Sequence, residues 1–135
     1  SLKMAAQSGV DVRVMIPCKP DHIFVYWATY SYVGELLRSG GRVFIYDNGF
    51  LHAKTLVVDG EVGTVGSTNF DNRSFRLNFE TNAFVFDSDF AKKMEDAFEN
   101  DLNNYGHELT YEEYKKRSAV IKFKEAISRL LSDIL

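Results

Sequence analysis

The sequence predicts an α/β fold in which a mixed β-sheet lies between layers of helix. Three features of the chain carry that expectation. Short β-branched runs with period-two alternation recur along it. Helical stretches are interspersed with them, which suits a sheet packed between helix layers. At 135 residues, 45% of them hydrophobic, the chain is long enough for one domain, residues 1–135, with a real core.

In chain order, residues 2–8 form a short helical run that Gly9 stops. Val10, Val12, Val14 and Ile16 alternate with Asp11, Arg13 and Met15, which predicts a strand ended by Pro17. Cys18 to His22 read as a loop, with Asp21 as N-cap and His22 in a structural, cap-region role. A helix over residues 22–39 stops at Gly40-Gly41 and is apolar on more than one face. It either packs on the sheet or turns Trp27, Tyr30 and Tyr32 toward an acyl-chain groove or a partner domain, since aromatic rings suit an apolar–polar boundary. Residues 43–46 form a strand, and the turn Asp47-Asn48-Gly49 leads through Phe50 and Leu51 into the central stretch. Beyond it, Asp87-Ser88-Asp89 caps a helix over residues 90–103, its acidic first turn matched to the helix dipole. Tyr105 to Glu108 read as a loop in which His107 is incidental. Thr110 and Glu113 make a capping box for a helix over residues 111–117. An amphipathic helix over residues 119–134 follows, carrying Val120, Phe123, Ile127, Leu130, Leu131 and Ile134. The nearby Lys115, Lys116, Arg117, Lys122 and Lys124 are either a solvated face or an electrostatic rest for anionic membrane.

The central stretch, residues 52–80, holds the chemistry. His52 can carry a phosphoryl group or move a proton. Lys54 supplies a point charge for a phosphate oxygen. Ser67 and Asn69 are neutral donors able to cradle developing negative charge. Glu80 is placed to hold one imidazole nitrogen and fix its tautomer. Residues 52–58 read as a strand with His52 and Lys54 on one face, about 7 Å apart. Asp59-Gly60 is a tight-turn signal, and residues 62–65 return antiparallel to bring Gly66, Ser67 and Asn69 beside the start of that strand. Glu80 opens a third strand over residues 81–86. A His-x-Lys pair alone is usually a polar strand edge. The whole pattern His52-x-Lys54-x₄-Asp59-x₆-Gly66-Ser67-x-Asn69 would arise by chance on the order of once in 10⁵ to 10⁶ chains of this length.

With these residues the chain resembles the phospholipase D superfamily. Residues 69–80, Lys19-Pro20-Asp21 and the ending Arg129-Leu130-Leu131-Ser132 resemble the second motif and flanks of bacterial cardiolipin synthases, with Asp133 where that family usually has Pro. The resemblance implies a site built between two such motifs, in which one histidine attacks phosphorus and the other protonates the leaving alcohol. Lys54 and Asn69 would bind phosphate, Glu80 would orient His52, and Asp59 would be the motif aspartate, more structural and away from the phosphate. It further implies phosphatidyl transfer between two phosphatidylglycerol molecules, with no metal or cofactor demanded. The single motif makes half a site. The other half would lie on an N-terminal part of a longer parent, and the first strand of the sheet would be missing from this chain. The resemblance places the parent at the bacterial inner membrane, with this domain itself soluble on the cytoplasmic side.

A net charge of −3 without a basic block argues against a nucleic-acid partner. One cysteine, Cys18, excludes an intrachain disulfide and fits a reducing compartment. No apolar run is long enough for a membrane span, and no signal peptide is visible. The enzymatic alternative is a phosphodiesterase or nuclease assembled as a homodimer. The non-enzymatic alternative is a binding module of the same fold, which the intact His52, Lys54, Ser67, Asn69 and Glu80 oppose.

Overall fold

The computed structural model describes residues 1–19 and 23–131; the expected cap residues Asp21 and His22 and the tail from Ser132 lie outside the described residues. The elements are α1 (Leu2–Gln7), β1 (Arg13–Pro17), α2 (Ile23–Arg38), β2 (Arg42–Tyr46), β3 (Thr55–Val58), β4 (Val62–Gly66), α3 (Asn72–Arg76), β5 (Asn82–Val85), α4 (Ser88–Tyr105), β6 (Gly106–Glu108), α5 (Tyr111–Lys115) and α6 (Ala119–Leu130). The fold is α/β as expected, but its described strands divide into two three-stranded sheets rather than one.

The first sheet is mixed, in the order β1-β2-β6. β1 and β2 run parallel, with Val14 opposite Val43 and Ile16 opposite Ile45, and α2 is the crossover that a parallel pair needs. Val43, Phe44 and Ile45 are all buried, so this strand is covered on both faces. Val43 and Ile45 join Val33 and Leu36 of α2 in the core, to which α1 adds Leu2, Ala5 and Ala6. Phe44 faces the other way and meets Phe98 of α4 edge-on, with ring centroids 6.5 Å apart. Each such buried side chain stabilises the fold by about 1.5–3 kcal/mol.

The segment expected as a loop around His107 is instead the strand β6. Its pairing puts Glu108 beside Phe44, and the Arg42 guanidinium grips the Glu108 carboxylate with bonds of 2.9 and 2.8 Å. Neighbouring strands thus gain an ion pair that holds the short β6 in register. His107 Nδ1 lies 2.5 Å from Asp47 Oδ2.

The second sheet is antiparallel, in the order β3-β4-β5. Asp59 (φ 52°) and Gly60 (φ 63°) turn the hairpin, and Glu61 N–H donates to Val58 O at 3.0 Å. Positive φ at both central residues matches the twist of the flanking strands, which is why Asp-Gly works here. α4 lies across both sheets, contacting β2 and β6 of one and β3 and β4 of the other.

α5 and α6 close the far side of α2. Thr110 and Glu113 form both halves of the expected capping box. The Tyr114 ring fills the notch at Gly34, and its hydroxyl donates to Tyr30 O at 2.8 Å. The Arg117 guanidinium stacks on that ring and pairs with Glu125 at 2.7 Å. This pair occupies the inner face of α6, together with buried Ser128. The apolar stripe of α6 is consequently turned outward.

Candidate active site

Four segments converge on a cleft of about 470 Å³: the end of β1, the first turns of α2, the loop from Phe50 to Lys54, and residues 69–78. Of the residues picked from the sequence, His52, Lys54 and Asn69 line it. Strand β3 begins only at Thr55, so His52 and Lys54 precede the strand rather than alternating along it. The Lys54 ammonium curls back and donates to His52 O at 3.0 Å, while the His52 ring stacks on Phe50 with centroids 5.3 Å apart. Gly66 N–H donates to Lys54 O at 3.3 Å, tying this segment to the end of β4 as the hairpin reading required.

Glu80 is the organising carboxylate, but not in the expected way. Its Oε1 accepts from Ser74 Oγ (2.8 Å) and Asn78 Nδ2 (3.1 Å), and its Oε2 accepts from Ser67 Oγ. The hydroxyls of Ser67 and Ser74 and the Asn78 amide hold the carboxyl below the usual carboxylate range, and the Lys54 charge adds to this. These donors take up Glu80 in place of the His52 imidazole, to which the structure gives it no hydrogen bond.

Ser67 also departs from expectation. Its one hydroxyl hydrogen goes to Glu80, and its oxygen accepts Thr81 N–H at 3.0 Å, so it braces the segment instead of offering a donor to the cleft. Asp59, counted with the catalytic motif, stands at the turn of the hairpin, at the opposite end of β3 from His52. Its carboxylate therefore takes no part in the cleft.

Sequence reasoning missed α3 and the groups it delivers. Asp71 caps this helix, its Oδ1 accepting Ser74 N–H at 2.6 Å. Asp is a preferred N-cap residue, so Asp71 was a partial signal for this helix, without the Glu or Gln three residues on that would have strengthened it. α3 brings Arg73 to the cleft wall, where its Nε donates to Asn78 Oδ1 at 3.3 Å. From α2, Tyr26, Thr29 and Tyr30 face the same space. Burial, with a hydrogen bond to Tyr26, pushes the Tyr30 phenol far above its ordinary value, so it remains neutral. The cleft thus presents an imidazole, an ammonium, a guanidinium and neutral amides and hydroxyls around one space, with apolar walls from Phe50 and Phe70; the one carboxylate in the lining, Asp71, is engaged as the cap of α3. That donor set fits a phosphodiester whose substituents are partly apolar.

A family model described as the cardiolipin synthase PLD-like domain matches residues 1–102. The chain belongs to the cardiolipin synthase PLD-like family. The PLD-like domain is 63% identical over all 135 residues to a cardiolipin synthase of Listeria monocytogenes, but spans only 28% of that relative's length. Its fold is similar to that of Nuc from Salmonella typhimurium, a phospholipase D family member, with a TM-score of 0.68 at 22% identity over 80% of this chain and 70% of that one. It is also similar to a phosphatidylserine synthase from Haemophilus influenzae, with a TM-score of 0.72 at 14% identity over 98% of this chain and 37% of that one. Among the described residues of the PLD-like domain, no helix is long and apolar enough to cross a membrane.

Proposed function

We propose that this PLD-like domain supplies one half of a two-histidine site that transfers a phosphatidyl group from one phosphatidylglycerol to another. The observation that carries the reading is the convergence of His52, Lys54 and Asn69 on one cleft, in a chain 63% identical throughout its length to a protein named cardiolipin synthase. Lys54 and Asn69 hold the donor phosphate. A histidine of the other half attacks phosphorus, forming a P–N bond as the P–O bond to glycerol breaks. His52 gives its proton to the departing glycerol oxygen. Neutral His52 then takes the proton from the acceptor hydroxyl, whose oxygen attacks phosphorus and releases the first histidine. Two phosphatidylglycerols become cardiolipin and glycerol, so the steps balance without a cofactor. Splitting one displacement into two is the advantage of the covalent route.

Glu80, through Ser67, Ser74 and Asn78, fixes the segment that presents Asn69. The domain works at the membrane surface of a longer enzyme, and alone it is silent or nearly so because it has one histidine of the two.

The test mixes the parent enzyme with labelled phosphatidylglycerol and reads products by mass spectrometry. Cardiolipin plus glycerol is expected. Lys54→Ala should lower turnover roughly 10²–10³-fold, and His52→Ala roughly 10²–10⁴-fold, with accumulation of a phosphatidyl-enzyme. Phosphatidic acid as the sole product would make water the acceptor. Nucleic-acid cleavage without lipid turnover, by a tight dimer of this chain, would replace the proposal with the diesterase alternative.

A further inference from the structure

We infer that the outward face of α6, together with the first turns of α2, is a docking surface for an anionic lipid bilayer. The inference deepens the lipid-transfer reading and rests on it for the choice of a lipid surface, but its own evidence is the burial pattern of α6. Val120, Phe123, Ile127 and Leu130 are 63%, 65%, 42% and 84% exposed, whereas Glu125 and Ser128 of the same helix are 4% and 1% exposed. This is the reverse of a helix that buries its apolar stripe in its own domain. The inner face is already occupied by the Arg117–Glu125 pair, so the stripe has no place inside.

The apolar face continues onto α2. A groove of about 370 Å³ runs between the two helices, lined by Ile23, Phe24 and Trp27 on one side and Phe123 and Ile127 on the other. A contiguous exposed apolar face edged by charged residues is the pattern of an interaction surface.

Charge decides what covers it. The one acidic residue of α6, Glu125, is withdrawn into its ion pair, which leaves cations as the exposed charges of this helix. Lys124 stands over the Trp27 ring at 5.7 Å, within the groove itself, and Lys122 lies next to Phe123 in the chain. Lys116 lies two residues before the Ser118 cap of α6, while Lys115 is paired with Glu112 at 2.9 Å. The chain as a whole is acidic, at −3, so this is a local reversal of sign. A protein interface core is depleted in lysine. An interfacial helix, by contrast, sets its apolar residues below the headgroups and its lysines among the anionic ones.

The placement is also right for delivery of substrate. Trp27 lines the groove while Tyr26, Thr29 and Tyr30 line the active-site cleft, so the two openings lie on either side of one helix, about 10 Å apart. Docking through α6 would hold the cleft within reach of the phosphate layer.

Trp27 is the only tryptophan in the chain and therefore reports on the groove directly. The 135-residue chain would be titrated with vesicles of equal parts phosphatidylglycerol and phosphatidylcholine, the acyl chains brominated. Trp27 emission should move to shorter wavelength and be quenched. Lys122→Gln with Lys124→Gln should weaken binding on the order of 30-fold, at about one lysine's surface attraction each. Phe123→Asp with Ile127→Asp should abolish it, and because both positions are exposed, circular dichroism should stay unchanged. If that pair unfolds, the lysine pair carries the test alone. No binding to these vesicles, binding with Trp27 unquenched, self-association that covers Trp27 and excludes vesicles, or a parent enzyme whose other half covers this face and leaves vesicle binding indifferent to both variant pairs would each overturn the inference. Quenching that obeys both variant pairs, in a parent enzyme that turns over no lipid, would leave the docking face standing and remove the transfer reading.

Discussion

Replacing Gly66 by alanine puts a methyl group where two strands and the site meet. A Cβ there would stand 2.6 Å from the Cα of Asn82, with the Thr81 carbonyl oxygen and the Asn82 side-chain oxygen closer still. Two of these neighbours are backbone, so β5 must move away from the end of β4. That end carries the Ser67 N–H to Thr81 O bond and the return bond from Thr81 N–H to Ser67 Oγ, each 3.0 Å. Overpacking costs about 1–3 kcal/mol, and the strained hydrogen bonds add about 1 kcal/mol. A total of about 3 kcal/mol lowers Tm by roughly 12 °C, at about 4 °C per kcal/mol for a chain of this length. Gly60→Ala is the control. Gly60 has φ +63° and its nearest neighbour is 3.4 Å away, so alanine there meets conformational cost without collision, about 1 kcal/mol. Equilibrium urea unfolding of the three proteins should give the order wild type, Gly60→Ala, Gly66→Ala. A Gly66→Ala midpoint equal to that of wild type would refute the close β4–β5 approach, and with it the geometry that links Ser67 to Glu80.

Two further outcomes follow from charge. Glu125→Ala leaves the Arg117 guanidinium in a nearly closed space and should cost about 3–5 kcal/mol, whereas replacing both partners with apolar residues of similar size should recover most of that, as read from urea midpoints. Glu80 has a lowered pKa in the folded protein, so its contribution is present above the ordinary carboxylate range and is lost as pH falls through the lowered value. The stability difference between wild type and Glu80→Gln, measured by denaturant titration across pH, should therefore be constant near neutrality and shrink only in acid; a difference that changes between pH 6 and 8 would contradict the assignment.

What the sequence made legible was local. The Asp59-Gly60 hairpin, the Thr110–Glu113 capping box and the N-cap at Asp87 each depend on residues within a few positions of one another. The pairing of Gly66 with Lys54 followed from the hairpin, so the convergence of His52, Lys54 and Asn69 could be anticipated. The division of the strands into two sheets could not, because alternation says which face a residue takes and not which strand it meets. β6 was hidden for the same reason: three residues acquire a strand's geometry by pairing with β2, which lies far away in the chain, and the Arg42–Glu108 pair only adds to that. Glu80 has the right chemistry to hold an imidazole. Its choice of Ser67, Ser74 and Asn78 depends on α3, a helix too short for a periodic signal. The apolar period of α6 was visible, but its direction is set by the Arg117–Glu125 pair, which no periodicity records.

The order β1-β2-β6 also has a temporal side. β1 and both strands of the site hairpin leave the ribosome before α4 and β6, and β2 can pair with β1 across α2 as soon as both are made. The second edge of β2 waits for Gly106–Glu108, roughly sixty residues later, which at ribosomal speed is on the order of 3–12 s. During that interval the Phe44 side of the sheet lacks α4, and an unpaired strand edge is open to other chains. The nascent cleft can thus be assembled while its scaffold is still adhesive, which makes the arrival of α4 and β6 the step at which this chain most needs a chaperone or dilution.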